Sequence, residues 1–198
     1  MELVWSFLAF MAVVTLTPGG ATALATASGM THGIRRSIPL LIGMASGMAA
    51  MAVSCALGLG SLLSAFPQMQ LALAVSGTIY FTWLAWKIAR SGAPGAANGA
   101  GDQPLAFGNG LLLIWLNPKA WSLSLGVVAA FSGLAETPGR LAAILAPAFL
   151  GFGMLSLFLW CAGGAVLVRL LSTSRQWRML NIALAALLLL SILPIWFA

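Results

Sequence analysis

Two prolines constrain this chain more than any other feature. Pro18, in Thr17-Pro18-Gly19-Gly20, and Pro118, in Asn117-Pro118-Lys119, each fall inside an apolar run long enough to cross a bilayer. A mid-helix proline removes one backbone donor and clashes with the turn before it, so it breaks or kinks the helix. In lipid the freed carbonyls need partners, so such a break survives only where protein or a watery cavity receives it. Thr17 and Asn117 are good N-caps, and proline suits the first helical position. The pattern predicts two half-helices that begin near the bilayer centre. Their N-terminal ends, with free N–H groups and partial positive charge, would point at a common site.

Composition makes these runs membrane spans. Of 198 residues, 61% are hydrophobic and only 6% are charged, too apolar for a soluble domain. The formal net charge of +6 comes from scattered basic residues with no interleaved aromatic-basic surface, which argues against nucleic acid. Cys55 and Cys161 lie inside apolar runs, so a secreted disulfide framework is not indicated. One His and two in-membrane thiols give no metal-ligand spacing, and neither a metal nor another cofactor is expected. A cleaved signal peptide is disfavoured, because the region before the apolar run carries Glu2 and no Lys or Arg and the run resumes past Pro18.

At about 20 apolar residues per span, the sequence predicts six helices, at residues 3–31 (broken at 17–20), 37–64, 69–89, 105–131 (broken at 117–118), 138–171 and 177–197. Ser37 and Thr137 are read as the caps opening the second and fifth, each with a proline in the first turn. Residues 91–104 (SGAPGAANGAGDQP) read as a flexible linker between repeat one (1–90) and repeat two (105–198) of a single transmembrane domain. Seven of the nine basic residues (Arg35, Arg36, Lys87, Arg90, Arg169, Arg175 and Arg178) fall on one face of this scheme. That bias places both termini outside and the odd-numbered loops in the cytoplasm. Trp86 and Trp177 then sit at the inner interface, Trp5 and Trp196 at the outer. Three spans per half put the second half upside down relative to the first, an inverted repeat with the two broken helices in equivalent places. Gly47 and Cys55 repeat their spacing as Gly153 and Cys161.

Several stretches resemble the LysE-type amino-acid exporters, a superfamily of lysine and threonine/homoserine exporters. They are TLTPGG at 15–20, GIRRS at 33–37, GMASG at 43–47, GTIYFTWLAWKIAR at 77–90 and FGNGLLLIWLNPKAW at 107–121. The resemblance implies a small six-span inner-membrane protein that exports amino acids, driven by the proton gradient and working as a homodimer. Two departures stand out. Gly20 replaces the second proline of the family's Thr-Pro-Gly-Pro. Met48 and Ala49 occupy the region where the lysine branch carries an acidic residue, and no Asp or Glu falls inside any span. A cationic cargo and coupling through a buried carboxylate both lose support, and a small zwitterionic cargo is favoured.

Lys119 is the one ionisable residue deep in a span, and charge there is costly enough to point to function. Its expected partner is water, a backbone carbonyl or an anionic ligand, with the cargo carboxylate as the functional reading. Thr17, Gly19, Gly20 and Asn117, beside Pro18 and Pro118, are candidates for a carboxylate cradle. The Leu16 and Leu116 carbonyls would accept from the ammonium group. Tyr80 either lines the pathway or packs at the core or interface. Gly43, Gly47, Gly58 and Gly60 fit close helix approach, and His32 fits the interface. The rival function is a transmembrane thiol-disulfide conduit using Cys55 and Cys161, although no nearby cation activates either thiol. No in-membrane His, Asp pair or serine with a base supports an enzyme. Transport would rock one half against the other around the midplane site.

Overall fold

In a computed structural model, residues 1–91 and 104–196 are described, and among these the chain is all helix without strands. The eight α-helices are α1 (Glu2–Leu16), α2 (Gly20–Ala56), α3 (Leu59–Ala65), α4 (Pro67–Arg90), α5 (Phe107–Trp115), α6 (Pro118–Ala130), α7 (Pro138–Leu170) and α8 (Ser174–Leu190). Short 3-10 turns follow α6 and α8. The expected linker at 91–104 lies almost wholly outside the described residues.

Helix α2 is two helices in one. Gly33 sits at φ 73° and ψ 171° inside it, a conformation open to glycine and strained for other residues. The consequence shows nine residues apart, where Ser28 Oγ lies 2.8 Å from Ser37 Oγ. In a straight helix that separation is about 13.5 Å along the axis. The chain therefore doubles back on Gly33 into two arms, residues 20–32 and 34–56. This corrects the second span in two ways. Ser37 is no cap but a buried residue one turn into the second arm, donating to Gly33 O at 2.8 Å. The arm also stops at Ala56, where Gly58 (φ 105°) turns the chain into α3.

The second arm of α2, α4 and α7 are each long and apolar enough to cross a membrane, and α5 with α6 qualifies as a pair bent by 67°. Alone, α1 and α8, at 15 and 17 residues, fall short of the usual span. The two arms of α2 lie against the second half of the chain at crossings with almost no side chain. A Cβ on Gly29 would strike the Cys161 carbonyl, and one on Gly164 the Thr26 carbonyl. Gly43 and Gly110 likewise abut the Phe107 and Leu40 backbones. Such backbone-to-backbone packing is how small residues join helices where no water drives burial. Around these crossings lie two apolar clusters. One is built on Leu41, Met44, Phe81, Leu113 and Leu188, the other on Phe7, Met11, Phe131, Leu145 and Phe149.

Candidate functional site

The first break spans residues 17–19. The residue before a proline is pushed to extended backbone, and Thr17, at φ −62° and ψ 128°, closes α1 instead of opening the next helix. Its hydroxyl turns back to Val13 O at 2.9 Å. The N-cap of the following helix is Gly19, whose N–H donates to Thr22 Oγ1 at 2.8 Å. Thr17 is thus a C-terminal residue here, a correction to its reading as a cap. Asn117 behaves as the sequence predicts. It is 3% exposed, its Oδ1 accepts from Lys119 N at 3.0 Å, and Pro118 takes the first helical position.

Ending α1 at Leu16 with a proline beyond strands several carbonyls, because the last turn of a helix has no downstream donors. The carbonyls of Thr15, Leu16, Thr17 and Pro18 are met from the second half of the chain. Ser156 Oγ donates to Thr15 O at 2.6 Å and Trp160 Nε1 to Leu16 O at 3.3 Å. Lys119 Nζ donates to Thr17 O at 2.9 Å and to Pro18 O at 3.4 Å. Ser156 and Trp160 stand four apart on α7 and so share a face. The ammonium group at a helix C-terminus also complements the negative end of its dipole. Gly19 lets the lysine lie flat across the break, since a Cβ there would sit 3.1 Å from its Cδ and 3.2 Å from its Nζ. Among the alternatives for Lys119, then, the backbone carbonyls are its partners, and they belong to the opposite break.

A cavity of about 50 Å³ opens between the two breaks, room for a few waters by the ~10–15 Å³ criterion. Thr17, Gly19, Gly20, Asn117 and Lys119 all line it, together with Thr15, Thr22, Met48, Gly153 and Ser156. Polar capacity remains within it. An ammonium group has three protons, of which two are spent on carbonyls. The N–H groups of Gly20 and Ala21, in a helical first turn, have no partner within their own helix. Among the described residues, no carboxylate lines the cavity. Neither Pro18 nor Pro118 contributes to its wall, although Pro18 supplies a carbonyl to Lys119. Tyr80 lies away from it, stacked on Trp83 with its hydroxyl 3.5 Å from Asn109 O. Leu16 and Leu116 are also outside the wall. Ser156 escaped sequence reasoning, though it is the only hydroxyl between Pro138 and Leu170, a signal that could have found it.

The two thiols are apart. Cys161 lies against Gly29 and within hydrogen-bonding reach of Ser37, at the start of the second arm of α2. Cys55 is 18 residues along that arm, about 27 Å away by helical rise. A disulfide needs Cα atoms within about 7 Å, so the pairing required by a thiol-disulfide conduit does not form.

A family model described as LysE type translocator matches residues 12–191. The cysteine/O-acetylserine efflux protein of Escherichia coli O157:H7 is 32% identical over 188 residues, covering 93% of this chain and 92% of that protein. The protein of the same name from Klebsiella pneumoniae is 35% identical over 117 residues, 59% of either chain. No solved structure matches the chain significantly.

Proposed function

The chain belongs to the LysE type translocator family, a transporter and not an enzyme, and from that premise we propose that it exports a small zwitterionic amino acid or derivative through the cavity between the two breaks. Cysteine and O-acetylserine, the cargo in the names of its relatives, are the first candidates. The observation that carries this reading is the position of Lys119. A cation in the membrane interior, at the wall of a cavity, with a proton to spare and the first turn of α2 at the same wall, suits an incoming carboxylate. The Thr17 and Pro18 carbonyls that now hold the lysine could take the cargo's ammonium group instead. The cargo would exchange one set of charge-assisted bonds for another with no net loss. Among the described residues, no acidic side chain lines the cavity to select a cationic cargo.

The rest follows the same logic. The protein would sit in the inner membrane with both termini outside, as the basic-residue bias supports. Among the described residues, Lys119 is the single titratable side chain lining the cavity, so coupling to the proton gradient would run through it. The exposed surface of Val13, Leu16, Thr17 and Pro18 places irregular backbone at the outside of the protomer. Such backbone is tolerated in a bilayer only against protein or water, which favours a homodimer covering it.

The test is metabolite profiling of medium from cells overproducing the protein against a Lys119→Ala control. Cysteine, O-acetylserine or a close relative should accumulate outside with the parent protein alone. Accumulation of no amino acid, or equal accumulation with the variant at equal membrane abundance, would overturn the reading.

A further inference from the structure

The wall of the central cavity divides by chemistry. Lys119, Thr17 and Asn117 bring polar groups to it, whereas Val14, Met48, Ile114, Leu123 and Leu157 bring carbon and one thioether. A zwitterion held by its charged groups at the two breaks leaves its side chain to the apolar part of the wall. We propose that Met48, seated on Gly153, is the movable piece of that wall and sets how long a cargo side chain the cavity accepts. The proposal rests on the export reading above and adds a specificity-determining pair to it.

Met48 differs from its neighbours in the wall and on its own helix. Ile114 and Leu157 are 1% and 2% exposed, locked in a close-packed interior. Met44, Met48 and Met51 follow at spacings of four and three, on one stripe of the second arm of α2. Met44 and Met51 are fully buried, while Met48 is only partly buried and lines the cavity. It packs against both apolar clusters, so its thioether has two surfaces on which to rest. An unbranched side chain with three rotatable bonds is suited to a wall that yields.

Gly153 makes the seat. A Cβ there would lie 2.6 Å from Met48 Cε and 3.6 Å from its Sδ, so a side chain at residue 153 would push the thioether aside. Gly153, Ser156 and Leu157 share one face of α7 and line the cavity together. The contact between Met48 and Gly153 therefore lies at the cavity wall. In a cavity of about 50 Å³, the position of one methyl group decides which side chains fit.

Uptake into energised inside-out membrane vesicles, with radiolabelled cysteine as the short cargo and O-acetylserine as the long one, reads the pair directly. Gly153→Ala should raise the half-saturating concentration of O-acetylserine about tenfold, the scale of one misplaced methylene in an apolar pocket, and that of cysteine by less than about threefold. Met48→Ala should lower by about tenfold the concentration of unlabelled methionine that halves O-acetylserine uptake. Combining the two substitutions should cancel the effect of Gly153→Ala, because the added Cβ then has no thioether to displace. Gly151→Ala, on the same helix but where a Cβ would meet no described atom within 4 Å, should change none of these. Equal losses for the two cargoes in Gly153→Ala, or no gain for methionine in Met48→Ala, overturns the movable wall while leaving export intact. If Gly153→Ala does not reach the membrane, Met48→Ala decides alone. A parent protein that takes up neither cargo overturns the export reading and the movable wall with it.

Discussion

The two breaks share a proline and little else. The second is closed by its own sequence: Asn117 caps the new helix through Lys119 N, and the chain resumes after a bend of 67°. The first spends three residues between helices, and its carbonyls at Thr15, Leu16, Thr17 and Pro18 are answered by Ser156, Trp160 and Lys119 from more than 100 residues away. One break is local and the other is held open from across the molecule. A self-capped helix end can stay rigid while its surroundings move. A helix end capped by the other half must exchange those bonds, or carry its partners along, whenever the halves shift. On the export reading proposed above, the first break is where movement of the halves and occupancy of the cavity would meet.

Substitutions can sharpen or break this contrast. The largest effect is expected for Lys119→Ala, which strands two carbonyls of the first break and removes the cavity's cation. Export should fall by at least about 100-fold, equivalent to some 2.7 kcal/mol, read as the rate of amino-acid appearance in the medium. Next is Gly20→Pro, which restores the family's second proline. A Cβ at residue 20 would meet the Phe81 ring and Ser191 Oγ, and such overpacking costs about 1–3 kcal/mol. The variant should melt earlier in detergent, and an unchanged melting temperature would refute the fitted role of Gly20. Ser156→Ala leaves Thr15 O without its side-chain donor and should cost about 1–3 kcal/mol. Asn117→Ala removes one cap and should cost about 1 kcal/mol. If the Asn117 variant proves the more damaging of these two, the contrast between a self-capped and a cross-capped break is wrong. Smallest of all, Tyr80→Phe deletes a hydroxyl whose one contact is long, at 3.5 Å, and should shift export and stability by less than about 0.5 kcal/mol.

The breaks themselves were legible because proline acts on its own backbone. So were α4, α5, α6 and α7, whose ends fall close to the expected ones. What local sequence could not separate was Thr-Pro from Asn-Pro. Both read as cap and first helical residue, yet Thr17 ends α1 and the capping oxygen comes from Thr22, five residues on. The reversal at Gly33 was expected as a loop near Arg35 and Arg36, and one glycine suffices. Lys119 stood out as a lone intramembrane charge, and backbone carbonyl was among its foreseen partners. Which carbonyls depends on how α1 meets α6, a fact written in no single stretch of chain. Ser156 and Trp160 escaped for the same reason, their partners lying 141 and 144 residues away.

The crossing of the first arm of α2 with α7 has a mechanical consequence. Where Gly29 meets the Cys161 carbonyl and Gly164 the Thr26 carbonyl, the contact is main chain on main chain. It has no rotamers to re-choose, and sliding would drive one backbone into the other. Rotation about the point of contact is the displacement that leaves it intact. The crossing is the rivet of a pair of scissors: the blades can swing about it, but the rivet stays put.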